Sequence, residues 1–163
     1  MIVKNSKLRH LLAKHAKEFL ILLVEQKISF SILCDITKTD FNPPLPEEIA
    51  KGLNDLTLFI LAGYTFESID FGVSGISFEA GFGEQNFGSL VSIEYEGIVQ
   101  ILLQDEQLLK EVSLFVNVAN AQLYSDFDSI QEDFRDLDFS MQMLSSNPEN
   151  SYLFNQKKGD KNE

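Results

Sequence analysis

The side chains best suited to acid–base, nucleophilic or metal chemistry are His10, His15, the single Cys34 and a large set of carboxylates that includes Glu94 and Glu96. His10 and His15 are five apart, whereas neighbours on one helix face are three or four apart, so they make no metal pair. Neither adjoins a Ser or Cys with an orienting carboxylate, and a nucleophilic triad has no support. Glu94 and Glu96 would share one face of a strand, with nothing apolar beside them to drive their pKa values apart; they read as a solvated face. The stretch 81–88 is rich in glycine but carries no Lys and opens no helix, so it does not make a phosphate cradle. Cys34 sits in an apolar run and reads as a small buried hydrophobe. No catalytic residue, metal ligand or cofactor site emerges, and the chain reads as a non-enzyme whose function lies in its surfaces.

Length and charge narrow the partners. At 163 residues the chain suits one domain with a tail. Thirteen Lys and Arg against 25 Asp and Glu give a formal charge of −12, which opposes approach to a polyphosphate and excludes nucleic acid as the expected partner. A lone cysteine forms no intramolecular disulfide and fits a reducing compartment. The basic N-terminal residues are followed by an apolar run of only six, 19–24, too short for a secretory leader, and no segment reaches the roughly 20 apolar residues of a membrane span. A cytoplasmic protein without a membrane partner is expected.

The elements follow from periodicity. Residues 76–82 alternate with period two and put Ile76, Phe78, Ala80 and Phe82 on one face of a strand. Residues 67–71 repeat the alternation, and Gly72 and Gly75 supply the reversal of a hairpin. Residues 83–88 read as a loop and 91–95 as a third strand of a meander. Upstream, residues 6–26 carry leucines and Phe19 at helical spacing, with Ser6 as N-cap. The half 19–24 is apolar almost all round, so the helix is either sunk in its own domain or paired with a second copy. Residues 29–37 read as a strand, three prolines at 43, 44 and 46 break the chain, and 47–53 fit a helical turn. The apolar run 56–62 fits a strand buried on both faces or closed into a barrel. Residues 98–103 and 112–118 suit helix or strand and are read as strands. The expected fold is α+β, mostly β: an N-terminal helix, then a compact antiparallel sheet or barrel over 1–120.

Beyond it, residues 121–163 read as an acidic, partly helical or flexible tail, with Phe127, Ile130, Phe134 and Leu137 at helical spacing. Tyr152, Leu153 and Phe154 beside Lys157 and Lys158 form an apolar-plus-basic island, either a short docking motif or a chance cluster.

Helix, strand, proline break, apolar strand, hairpin, glycine loop and Val91-Ser92-Ile93 come in an order that resembles stringent starvation protein B (SspB), the bacterial adaptor family that delivers tagged substrates to the ClpXP protease. The resemblance covers about the first 120 residues and is carried by Ile76-Ser77-Phe78-Glu79-Ala80-Gly81-Phe82-Gly83 and by Val91-Ser92-Ile93 leading to Ile98-Val99-Gln100-Ile101. It implies an Sm-like β-barrel or sandwich behind a helix that pairs across a two-fold axis, here through Leu12, Phe19 and Leu23. It also implies a groove for the extended ssrA degradation tag, lined by Ala62, Ser77, Phe78, Glu79 and Ala80. Ser77 stands where γ-proteobacterial relatives carry an arginine, and residues 84–90 hold two extra positions. By the same resemblance the acidic segment is a tether, and Tyr152, Leu153, Phe154, Lys157 and Lys158 dock on the ClpX unfoldase. The implied partners are tagged proteins, ClpX and a second copy, with no cofactor. Small size and acidity fit equally a type III secretion chaperone-like, effector-binding protein, which would interleave helices with a strongly twisted sheet and dimerise at mid-chain.

Overall fold

Asn5 rather than Ser6 starts the first helix, because its side-chain oxygen accepts from the Leu8 N–H at 3.0 Å and satisfies one otherwise orphaned donor. Helix α1 (Ser6–Glu25) then runs without Gly or Pro and buries a stripe of Ala16, Leu20 and Leu23. Each of those leucines contributes about 2 kcal/mol through burial. A computed structural model of the protein describes residues 4–105, 107 and 110–120. The acidic segment 121–163, including Phe127, Ile130, Phe134, Leu137 and the island 152–158, lies outside the described residues.

Eight strands follow: β1 (Phe30–Asp35), β2 (Thr39–Asn42), β3 (Leu56–Leu61), β4 (Asp70–Phe71), β5 (Gly75–Phe82), β6 (Phe87–Glu94), β7 (Ile98–Asp105) and β8 (Lys110–Val116). They form two antiparallel four-stranded sheets, ordered β3-β1-β7-β8 and β2-β6-β5-β4. Neither sheet closes on itself, so the expected barrel is not formed and the mostly β, α+β architecture stands in its open form. Strand β3, expected to be buried on both faces, is an edge strand: Phe59 and Leu61 face the core while Ile60 is 67% exposed. The strand expected over 67–71 shrinks to the two residues of β4, because α3 (Gly63–Glu67) carries the chain from one sheet to the other. Residues 36 and 37, read as the end of a strand, fall in the helical turn 36–38 capped by Asp35, whose carboxylate accepts from the Thr37 N–H at 2.9 Å. The proline break begins only after β2, at a cis Asn42–Pro43 peptide, and α2 (Glu47–Ala50) is the expected turn. Residues 98–103, read as a strand, lie in β7; of 112–118, also read as a strand, residues 112–116 lie in β8 and Val118 begins a helical turn.

Both sheets share one core. Ile32 and Ile101 meet Ile76, Phe78, Val91 and Ile93, all fully enclosed, with α1 packed over one end. Phe59 reaches across from β3 to the rings of Phe78 and Phe82 at 5.5 and 6.4 Å, an edge-on geometry that suits the ring quadrupoles. Glu94 and Glu96 do not share a strand face: Glu96 lies in the turn after β6 beside Arg9 at 3.8 Å, and Glu94 lies 3.8 Å from Lys38. Exposed pairs of this kind add less than about 1 kcal/mol.

Candidate functional site

The alternation of strand β5 decides which of its backbone groups can meet a ligand. The Tyr95 N–H donates to the Ser74 carbonyl at 3.0 Å, which sets even-numbered residues to bond β6 and turns the backbone of Gly75, Ser77, Glu79 and Gly81 to the opposite edge. Along that edge the Gly75 carbonyl accepts from Gly72 N at 2.8 Å, and Ser77 is paired with Asp70 of β4. The Glu79 N–H donates to the Ser68 hydroxyl at 2.8 Å. Beyond this point the ladder stops. The Glu79 carbonyl and both polar groups of Gly81 have no partner among the described residues.

This open stretch borders a groove of about 640 Å³ on the outer face of the second sheet. Tyr64 and Thr65 of α3 form one wall, and Asn42 and Pro43 at the end of β2 form the other. Between them run Glu79, Ala80 and Gly81 of β5 and Gly88, Ser89 and Leu90 of β6, with Asn86 at the turn. Gly81 and Gly88 stand opposite each other in register, and neither contributes a side chain of its own to the floor. A Cβ at Gly88 would point into open space, whereas one at Gly81 would strike the Asn86 side chain. Helix α3 is fixed by two bonds to a single residue: Tyr64 and Ser68, four apart on one face, donate to the Glu79 carboxylate and accept from its N–H. That hydroxyl–carboxylate bond raises the Tyr64 pKa, because the phenol proton is held by an acceptor.

Of the residues implied by the resemblance, Glu79 and Ala80 line the groove. Ser77 lies one step along the same face, 3.2 Å from the Ser92 hydroxyl, with its backbone edge taken by β4. The Phe78 side chain is fully enclosed in the core, leaving only its backbone near the site. Ala62 is exposed at the junction of β3 and α3 and is not among the residues lining the groove. On α1, Leu23 is 4% exposed in the protein's own core and Leu12 and Phe19 pack half-buried against it. The exposed apolar residues of that helix are Leu11 and Leu22. Tyr152, Leu153, Phe154, Lys157 and Lys158 lie outside the described residues.

Periodicity missed Tyr64, Asn42, Gly88 and Leu90, which come from segments the alternation treats separately and which only strand register brings together. Among the described residues no group of three or more His, Cys, Asp or Glu is placed to hold a metal ion. No helix among the described residues is long and apolar enough to cross a membrane. No protein-family model matches the chain, and no curated protein matches it.

Proposed function

We propose that this protein is a non-catalytic adaptor of the SspB type, which captures extended degradation-tag peptides of the ssrA kind and delivers their carriers to the ClpXP protease. The observation that carries the proposal is the interrupted edge of β5, where the Glu79 carbonyl and the Gly81 N–H and carbonyl have no partner among the described residues, beside a groove that is open over Gly88. An extended peptide meets such groups with its own N–H and C=O, each bond adding about 1 kcal/mol, while alternate side chains enter the groove. The Sm-like detail of the fold belongs to the same proposal. So does a homodimer through α1, supported by Leu11 and Leu22, which are 48% and 53% exposed and lie eleven residues, about three turns, apart on one face. The tail beyond residue 120 completes it: a tether that docks weakly on ClpX through the 152–158 island raises the local concentration of cargo without any new contact at the groove.

The test is binding of a fluorescein-labelled ssrA-type peptide, followed by anisotropy. Wild-type protein binds saturably, and Gly88→Phe, which fills the groove from a position with free space above it, weakens binding about tenfold or more with the fold retained by circular dichroism. Wild-type protein with no affinity for such a peptide would refute the adaptor. The chaperone-like alternative expects helices interleaved with the sheet. Among the described residues the strands are interrupted only by short helical turns, α2, α3, 36–38 and 95–97, and no observation favours it.

A further inference from the structure

The groove is electrostatically one-sided. Among its lining residues Glu79 is the only carboxylate, and no Lys, Arg or His is present. Glu79 is exposed and makes no ion pair with any described residue. One of its oxygens accepts from the Tyr64 hydroxyl, and the other has no partner among the described residues. The backbone that carries this carboxylate is fixed as well: the Glu79 N–H donates to the Ser68 hydroxyl, and Glu79 stands opposite Leu90 of β6 in register. The charge is therefore held rather than left to sweep through solvent, and the chain around it has a formal charge of −12. Beside it, Leu90 is 40% exposed and offers an apolar surface along which the methylenes of a long cationic side chain can lie. Gly88 leaves clearance for a peptide backbone, since nothing lies within 4 Å of a Cβ built there, while the Asn86 side chain occupies the space over Gly81.

We infer that the groove selects extended segments carrying a Lys or Arg side chain, with the cation set against Glu79, its stem on Leu90 and the neighbouring backbone over Gly88. An acidic segment meets the same carboxylate with no compensating cation and is disfavoured. The inference deepens the proposed peptide capture and rests on it.

A parent ssrA-type peptide, substituted at each position in turn with Lys, norleucine or Glu, tests the inference by anisotropy. At one position Lys binds about fivefold more tightly than norleucine, and Glu more weakly than either, a ratio equivalent to roughly 1 kcal/mol. The advantage fades as ionic strength rises from about 0.05 to about 0.5 M, because an exposed pair is screened. In Glu79→Gln the ratio of Lys to norleucine binding falls to about one, and in Glu79→Lys the order inverts in favour of Glu. If Lys and norleucine peptides bind equally at every position of the wild type, the charge preference is overturned while peptide capture stands. If no peptide of the series binds, capture itself fails, and the inference with it.

Discussion

Cys34 is fully enclosed between the sheets, and burial pushes its thiol from 9.0 up to about 11 against the opposing pull of a 3.4 Å contact with the Thr39 hydroxyl. A folded-state value above the unfolded one means that the folded protein holds its proton over the interval between them. The thiol's contribution is complete below about pH 9 and is lost as pH rises towards about 11. We expect an aromatic disulfide reagent at pH 8 to leave native Cys34 unmodified and to label it fully in denaturant, with urea midpoints that fall above pH 9 less steeply in Cys34→Ala. Rapid labelling of native protein would contradict this placement. Gly75 is the second residue with a sharp expectation: a Cβ there would lie 2.3 Å from the Ile93 carbonyl oxygen, a backbone atom that cannot step aside. Gly75→Ala should therefore cost about 1–3 kcal/mol in urea unfolding, whereas Gly88→Ala, with open space above it, should stay within about 0.5 kcal/mol of wild type. The sequence marked Gly75 as a turn residue from its neighbours alone. It could not mark Gly81 and Gly88 as partners, since facing positions exist only once register is set.

Helix α3 shows why the elements were unequally legible. The alternation of residues 67–71 obeys the strand period, yet only Asp70 and Phe71 pair, because the chain must pass from the edge of one sheet to the other within a few residues. A helical turn begun at Gly63, in the left-handed region at φ 56°, makes that passage. The run 56–62 misled in another way: an apolar run reports burial, and Phe59 and Leu61 are buried, but it does not report whether a neighbour flanks each side. By contrast α1, β5 and the second half of β6 were legible because each puts one periodic face into a single core, whereas residues 87 and 88, read as loop, already belong to β6. The bond from Glu79 N–H to the Ser68 hydroxyl gives α3 its own test. Ser68→Ala should destabilise the protein by about 1 kcal/mol and speed hydrogen exchange at Glu79, since that donor loses its partner. Unchanged exchange at Glu79 would show that α3 does not anchor this edge.

At the scale of the whole molecule, an N-terminal helix and two antiparallel sheets form a frame in which one edge, that of β5, is covered along part of its length and then left open beside a groove. Composition and periodicity were enough for an α+β, mostly β chain. Closure into a barrel was not legible, because it depends on whether β3 finds a second neighbour, and it does not. Peptide capture at the open edge of β5 depends on one stretch of backbone, so its most direct test is amide-resolved NMR of the full chain titrated with the ssrA-type peptide. The Gly81 N–H should shift on binding and gain protection from exchange, with smaller changes at Tyr64 and Leu90 around the groove. Peptide binding that leaves Gly81 unperturbed and instead protects Leu56, Leu58 and Ile60 on the open edge of β3 would place the site elsewhere and contradict the account.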